Sequence, residues 1–275
     1  MHLFFGDDSR QNTPTRPKMG ALVAAGGVLV GAEHVKSLES VLNDECRKAG
    51  FPSNEEFKWS PGRELWMRTN LVAEARQQFY FGVLAAARDH DVTAIVVIED
   101  TGCRTATGVD SSEEDVSHML LERVHNSVPA SSNGCVVIVD RPSGDRADED
   151  RFLSGCLEHL QSGTDYVKHD KIALNVLSTP SKLVRVLQLA DLITSCTTAL
   201  VSGESVYAPP VFEKIKPLLN QFMDRIGGIG VKIHPDYKYA NLYHWLLGDK
   251  WLVRGQSGAP LPLSGRPYKN APDSY

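Results

Sequence analysis

The sequence predicts a mixed α/β fold, a β-sheet flanked by helices with a C-terminal helical extension. Three observations carry this. Near the N-terminus two apolar runs, LFFGDDS and ALVAAGGVLV, read as neighbouring strands that open an antiparallel meander. Further on, β-branched runs alternate with amphipathic segments in the order strand, helix, strand, which calls for helices on both faces of a sheet. A chain of 275 residues with 42% hydrophobic content can also bury an ordinary core without covalent or metal staples.

The second strand, residues 21–30, contains Gly26-Gly27, which predicts a bulge or a turn that splits it. Over residues 32–49 the apolar positions Val35, Leu38, Val41, Leu42 and Cys46 recur at helical spacing, with Gly50 as the stop. After the polar loop SNEEFKWSPG, one long helix is expected over residues 63–89, with Leu71, Phe79 and Val83 on its apolar face. AIVVIED (residues 94–100) and CVVIVD (residues 135–140) are strands ending in acid, and between them SSEED is a capping-box signature for a helix over residues 112–124. A helix over 148–160, a strand over 171–180 and a strongly apolar helix over 183–201, closed by Gly203, complete the expected core.

Beyond Gly203 the pattern weakens to a helix at about 211–226, a glycine turn GGIG and an aromatic stretch, HPDYKYANLYHWLL. The expected organisation is a core over residues 1–203, a helical and aromatic extension over 204–253, and a flexible tail over 254–275 that is dispensable for the fold.

Bulk properties exclude some functions. No run approaches the roughly 18 apolar residues of a membrane span, and the N-terminus meets acids at once, so a cytoplasmic protein is expected. The five cysteines are scattered without a CxxC pair and read as free thiols. A net charge of −5 gives no global attraction to nucleic acid, so a polyanion site would need a local basic surface or metal ions. The histidines show no ligand spacing such as HExxH, and Ser9 and Ser178 lack a nucleophile elbow.

Three acids stand out by context. Asp7 closes an apolar run, Asp140 ends CVVIVD, and Asp191 interrupts the apolar helix LQLADLI, where an ionised carboxylate needs a cap, an ion pair or a metal. Carboxylates at strand ends suit two-metal phosphodiester cleavage, and Mg²⁺ or Mn²⁺ takes such oxygen ligands. The same acids have structural alternatives, and Glu99 or Asp100 rivals Asp140, because AIVVIED ends in the same way. Trp59 is read as a core anchor before a base-stacking platform. Arg10, Arg16, Lys18, Lys182 and Arg185 would flank converging acids and contact a phosphate backbone, or else simply occupy a solvated loop and a helix start.

FFGDDS, EEFKW, VVIVDRP and the segment from Ser178 through LQLADLI resemble, in order, the motifs of a bacterial and phage family of unknown function, DUF3800. The likeness spans about residues 3–201; Asp8 stands where the family usually has Glu, and Arg10 where it usually has Gly. The resemblance implies an RNase H-like sheet. It also implies Asp7, Glu56, Asp140 and Asp191 as the acidic site, with Asp8, Lys58 and Gln188 in support. The expected function is metal-dependent phosphodiester hydrolysis on RNA or DNA, with Asp7, Asp140 and Asp191 as ligands and their carboxylates about 4 to 8 Å apart. The alternatives are a nucleic-acid- or protein-binding module on the same scaffold and a small-molecule phosphohydrolase.

Overall fold

The structure is a computed structural model that describes residues 1–104, 112–254 and 257–275. Its centre is a six-stranded sheet. Strands β1 (His2–Gln11), β2 (Leu22–Gly31) and β3 (Thr93–Asp100) form the antiparallel meander; β4 (Cys135–Asp140) runs parallel to β1 on its other side, and β5 (Leu177–Thr179) lies parallel to β4 beyond it. The spatial order is β5-β4-β1-β2-β3-β6, where β6 (Val231–His234) is parallel to β3 at the far edge. The mixed α/β sheet expected of an RNase H-like chain is therefore present.

Strand alternation divides the core in two. Phe5, Ala24, Val28, Val96 and Ile98 point to one face, covered by α1 (Ala32–Lys48), α3 (Ala73–Asp89), α6 (Arg185–Ser202) and α7 (Ala208–Ile215). Phe4, Ala25, Leu29, Ile95 and Val97 point to the other, under α4 (Ser112–Ser127) and α5 (Arg146–Ser162). The capping-box signature ahead of α4 begins at Ser111, which lies outside the described residues. Every residue of α6 is buried, and the helix ends at Gly203 in the left-handed region, φ 100°. Buried Arg16 closes that end: its Nε donates to the Val201 carbonyl at 2.7 Å and its Nη2 to Leu200 at 2.9 Å. Arg16 is thus committed to a helix terminus and not to a phosphate backbone.

Several boundaries differ from expectation. β2 is not split. Its ladder runs unbroken through Gly6↔Gly27 and Asp7↔Gly26. The glycine pair answers crowding, since a Cβ on Gly27 would lie 2.0 Å from the Phe5 carbonyl oxygen and one on Gly26 2.7 Å from Thr194 Oγ1. The helix over 63–89 breaks into α2 (Met67–Asn70) and α3, because Leu71 and Val72 take extended backbone that lets both Met67 and Leu71 reach the core. Of the strand over 171–180 only Leu177–Thr179 is formed, with Ile172 making an isolated bridge to Cys135. The helix over 211–226 is the shorter α7, which tightens into a 3-10 turn at Pro217.

The extension and the tail are not appendages. β6 supplies a sheet strand, so no boundary at Gly203 separates the core from the C-terminal residues. It leads into α8 (Asp236–Leu242) and, after a hairpin of β7 (Trp251–Arg254) and β8 (Ser257–Pro260), into residues that pack on the core. Tyr268 is completely buried, donates from its hydroxyl to the Pro17 carbonyl at 2.6 Å, and accepts on its carbonyl from Trp245 Nε1 at 2.8 Å. The tail carries few apolar residues, yet Tyr268 and Leu261 seat it in the core. All five cysteines are free thiols, as expected. No helix among the described residues is long and apolar enough to cross a membrane.

Replacing Tyr268 with Ala should therefore cost about 3–5 kcal/mol, read as a drop in the urea midpoint at unchanged slope. A change below about 0.5 kcal/mol would restore the dispensable tail.

Candidate active site

Register brings the first two acids together. β1 and β4 pair in parallel as far as Gly6↔Val139, so Asp7 and Asp140 come side by side at the end of that ladder. The alternation that sends Phe5 toward α6 sends Asp7 the same way, and Ser9 two residues on. The ambiguity over Asp140 is resolved by strand order: β3, with Glu99 and Asp100, is separated from β1 by β2. Both rivals have other work. Asp100 accepts from Lys238 Nζ at 2.8 Å, from Gly102 N at 2.9 Å and from the Tyr239 hydroxyl, while Glu99 pairs with Arg104 at 2.9 Å.

Asp191 enters from α6. Its Oδ2 accepts the Trp59 backbone N–H at 2.7 Å, and its Oδ1 the Ser195 hydroxyl one helical turn on, at 3.4 Å. Ser195 in turn reaches Ser9 Oγ at 3.1 Å, tying helix to strand beside the acids. Ser9 and Ser195 do not stand out as site residues by type. Their signal is positional: two residues after Asp7 on a strand, and four after Asp191 on a helix.

The acids act on one another. Burial lifts the Asp7 carboxyl well above the ordinary carboxylate range, reinforced by the charges of Asp191, Asp140 and Asp8 and opposed by Lys58. Burial likewise raises Asp191 to about 6, against the Trp59 N–H, Lys58 and Ser195, with Glu56 pushing it further up. Asp7 Oδ1 accepts the Asp8 backbone N–H at 2.8 Å, but its Oδ2 is buried with no hydrogen-bond partner. Asp140 uses Oδ1 twice, for Arg141 N at 2.8 Å and Ser181 N at 2.7 Å, so it also stops the turn that leads into α6.

The EEFKW loop lies against the acids. Lys58 feels burial, which lowers its pKa, yet Glu56, Asp191, Asp7 and Asp140 together hold it above the usual lysine value. Ser181 Oγ donates to Glu56 Oε2 at 3.5 Å, whereas Glu55 is taken by the Trp66 N–H at 2.7 Å. Gln188, expected beside the acids, is a positioning residue. It is fully buried, accepts from Phe57 N at 3.2 Å and Arg185 Nη1 at 2.7 Å, and donates to the Ser181 carbonyl at 2.9 Å. Arg185 is therefore internal, and does not face a phosphate. Trp59 packs on Tyr80, ring centroids 5.6 Å apart, as a core anchor. Asp8 turns to the opposite face and is exposed there, yet partial desolvation raises its carboxyl against the pull of Arg10, itself paired with Glu113.

An all-oxygen donor set, mutual repulsion and an orphaned buried Asp7 Oδ2 fit a hard divalent cation such as Mg²⁺ or Mn²⁺. Among the described residues no three His, Cys, Asp or Glu side chains are drawn together closely enough to hold one ion. The acids share a field without closing a ligand shell. Compared with known protein families, curated proteins and solved structures, the chain finds no match.

A carboxyl raised from an ordinary 3.8 to about 6 binds its proton more tightly folded than unfolded, so its ionisation destabilises the fold as pH rises through that interval. Asp191→Asn should then be as stable as wild type near pH 4, and more stable by up to about 2–3 kcal/mol at about pH 7.5 in EDTA. Urea melts at the two pH values check this. A loss of about 3–5 kcal/mol at neutral pH would instead make Asp191 an ion-pair partner.

Proposed function

We propose that this chain is a divalent-metal-dependent phosphodiesterase, a nuclease with an RNase H-like acidic site. The observation that carries the reading is the buried, unpartnered Asp7 Oδ2 inside a group of carboxylates set by adjacent strands and one buried helix. The ordered likeness of FFGDDS, EEFKW, VVIVDRP and LQLADLI to DUF3800 supports it, as does the strand order of the sheet.

Asp7, Asp140 and Asp191 would hold Mg²⁺ or Mn²⁺. When bound, such an ion supplies charge to the phosphoryl oxygens and a water of lowered pKa. The chain's own groups do the rest. Glu56, half-buried on the loop, takes a proton from the attacking water, and Lys58 Nζ offers a cation to a non-bridging phosphate oxygen. Gln188 and Ser181 hold the loop that presents both.

A second reading is a non-catalytic binding module on the same scaffold. It is favoured by the backbone N–H groups that already occupy Asp140 Oδ1 and Asp191 Oδ2, and by Lys58 as a built-in counter-charge.

Labelled single- and double-stranded RNA and DNA, incubated with Mg²⁺, Mn²⁺ or EDTA, separate the two. Cleavage should require metal and fall by at least about a hundredfold in Asp7→Asn. Absence of cutting with either metal, together with tight binding that EDTA leaves intact, would transfer the assignment to the binding module.

A further inference from the structure

Four of the nine histidines gather on the α4–α5 side of the sheet, away from the face that carries Asp7 and Asp191. His118 and His125 come from α4, His159 from α5, and His169 from the loop after α5. The His118 ring stacks on His159 with centroids 3.8 Å apart and planes within 3°. His159 Nε2 lies 3.2 Å from His169 Nε2, and His125 meets His169 edge-on at 6.0 Å. His169 is almost wholly buried, and its Nδ1 has no hydrogen-bond partner.

Imidazoles are expensive to bury together, because each ring brings two nitrogens that need partners. The carboxylate of Asp170 stands 3.7 Å from His125 Nε2, at the edge of the group, while on His169 burial and the neighbouring rings outweigh the opposing charge of Glu122. Burial and the neighbouring rings hold His159 down to about 4, so at neutral pH it is uncharged with a lone pair available. The geometry is specific. Two imidazole nitrogens, each about 2.0–2.1 Å from a tetrahedral zinc ion, lie about 3.3 Å from each other. The 3.2 Å separation of the two Nε2 atoms matches that chord.

We propose that His159 and His169 bind one divalent transition metal of the zinc class through their Nε2 atoms. The ion would pin the C-terminal turn of α5 to the loop carrying His169, with solvent filling the other positions, since no third side chain converges among the described residues. Its chemistry is distinct from that of the carboxylate site: imidazole selects zinc, nickel or copper, whereas the acids select magnesium or manganese. An open two-ligand shell places the affinity below that of four-ligand structural zinc.

The test uses the full chain at about pH 7.5, where His159 is neutral. Histidine ¹⁵N spectra should show the Nε2 resonances of His159 and His169 moving together on addition of ZnCl₂ and staying still with MgCl₂. Calorimetry with ZnCl₂ should show binding weakened at least about tenfold by His159→Gln and unaffected by Asp191→Asn. Should His169→Gln fail to fold, the wild-type spectra and the partly exposed His159→Gln still decide. Unmoved ring signals would mean that the 3.2 Å contact is an ordinary N–H···N bond. Zinc affinity lost in Asp191→Asn but retained in His159→Gln would put the ion among the carboxylates. Either result overturns the site.

Discussion

A carboxylate in the middle of a helix with no solvent face is the constraint around which this structure is arranged. α6 lies over β1 and β2, buried from Arg185 to Ser202, and Asp191 sits well inside it. Water reaches little of that group, so the protein must satisfy it. The Trp59 N–H is delivered to one oxygen and the Ser195 hydroxyl to the other, and the Lys58 charge is held nearby. Delivering Trp59 N–H in turn requires the EEFKW loop to take one path, fixed by Gln188 at Phe57 and by Tyr80, whose hydroxyl donates to the Lys58 carbonyl at 2.8 Å.

The sheet imposes the complementary half. Parallel pairing of β1 with β4 leaves Asp7 and Asp140 adjacent, and the pleat aims Asp7 at α6. Glycine at positions 26 and 27 lets the helix and the neighbouring strand come close enough for this to matter. Like charges are thereby crowded, and the fold offsets the crowding only in part. Burial first, and for Asp7 the neighbouring charges as well, leaves the carboxyls of Asp7 and Asp191 raised. Such imbalance is tolerated most readily where function needs it.

Much of this was legible in the sequence, because the informative elements are long and strongly patterned. Runs such as CVVIVD and LQLADLI announce a strand and a buried helix, and their acids are conspicuous against apolar neighbours. The features that escaped were decided by tertiary contact. Gly26-Gly27 looks the same whether it bends a strand or admits a neighbour. β6 has only four residues, too few for a period, and exists because β3 offers it an edge. The choice between Asp140 and Glu99 depended on which strand adjoins β1, a fact of topology that no local pattern encodes. Gln188 and Arg185 were visible as polar residues in an apolar helix, but whether they faced substrate or backbone depended on a loop more than a hundred residues away.

The division of the interior by the sheet has a dynamic consequence. The core under α1, α3, α6 and α7 is far larger than the one under α4 and α5, and α5 itself contributes a single fully buried residue, Cys156. Amide protons of the two faces should accordingly exchange on separate timescales, with α5 and the loop after it opening as an early, independent unit while β1, β2 and α6 wait for global unfolding. The sheet would in this respect join two bodies of unequal stability, with β1, β2 and α6, which carry Asp7 and Asp191, in the more stable one.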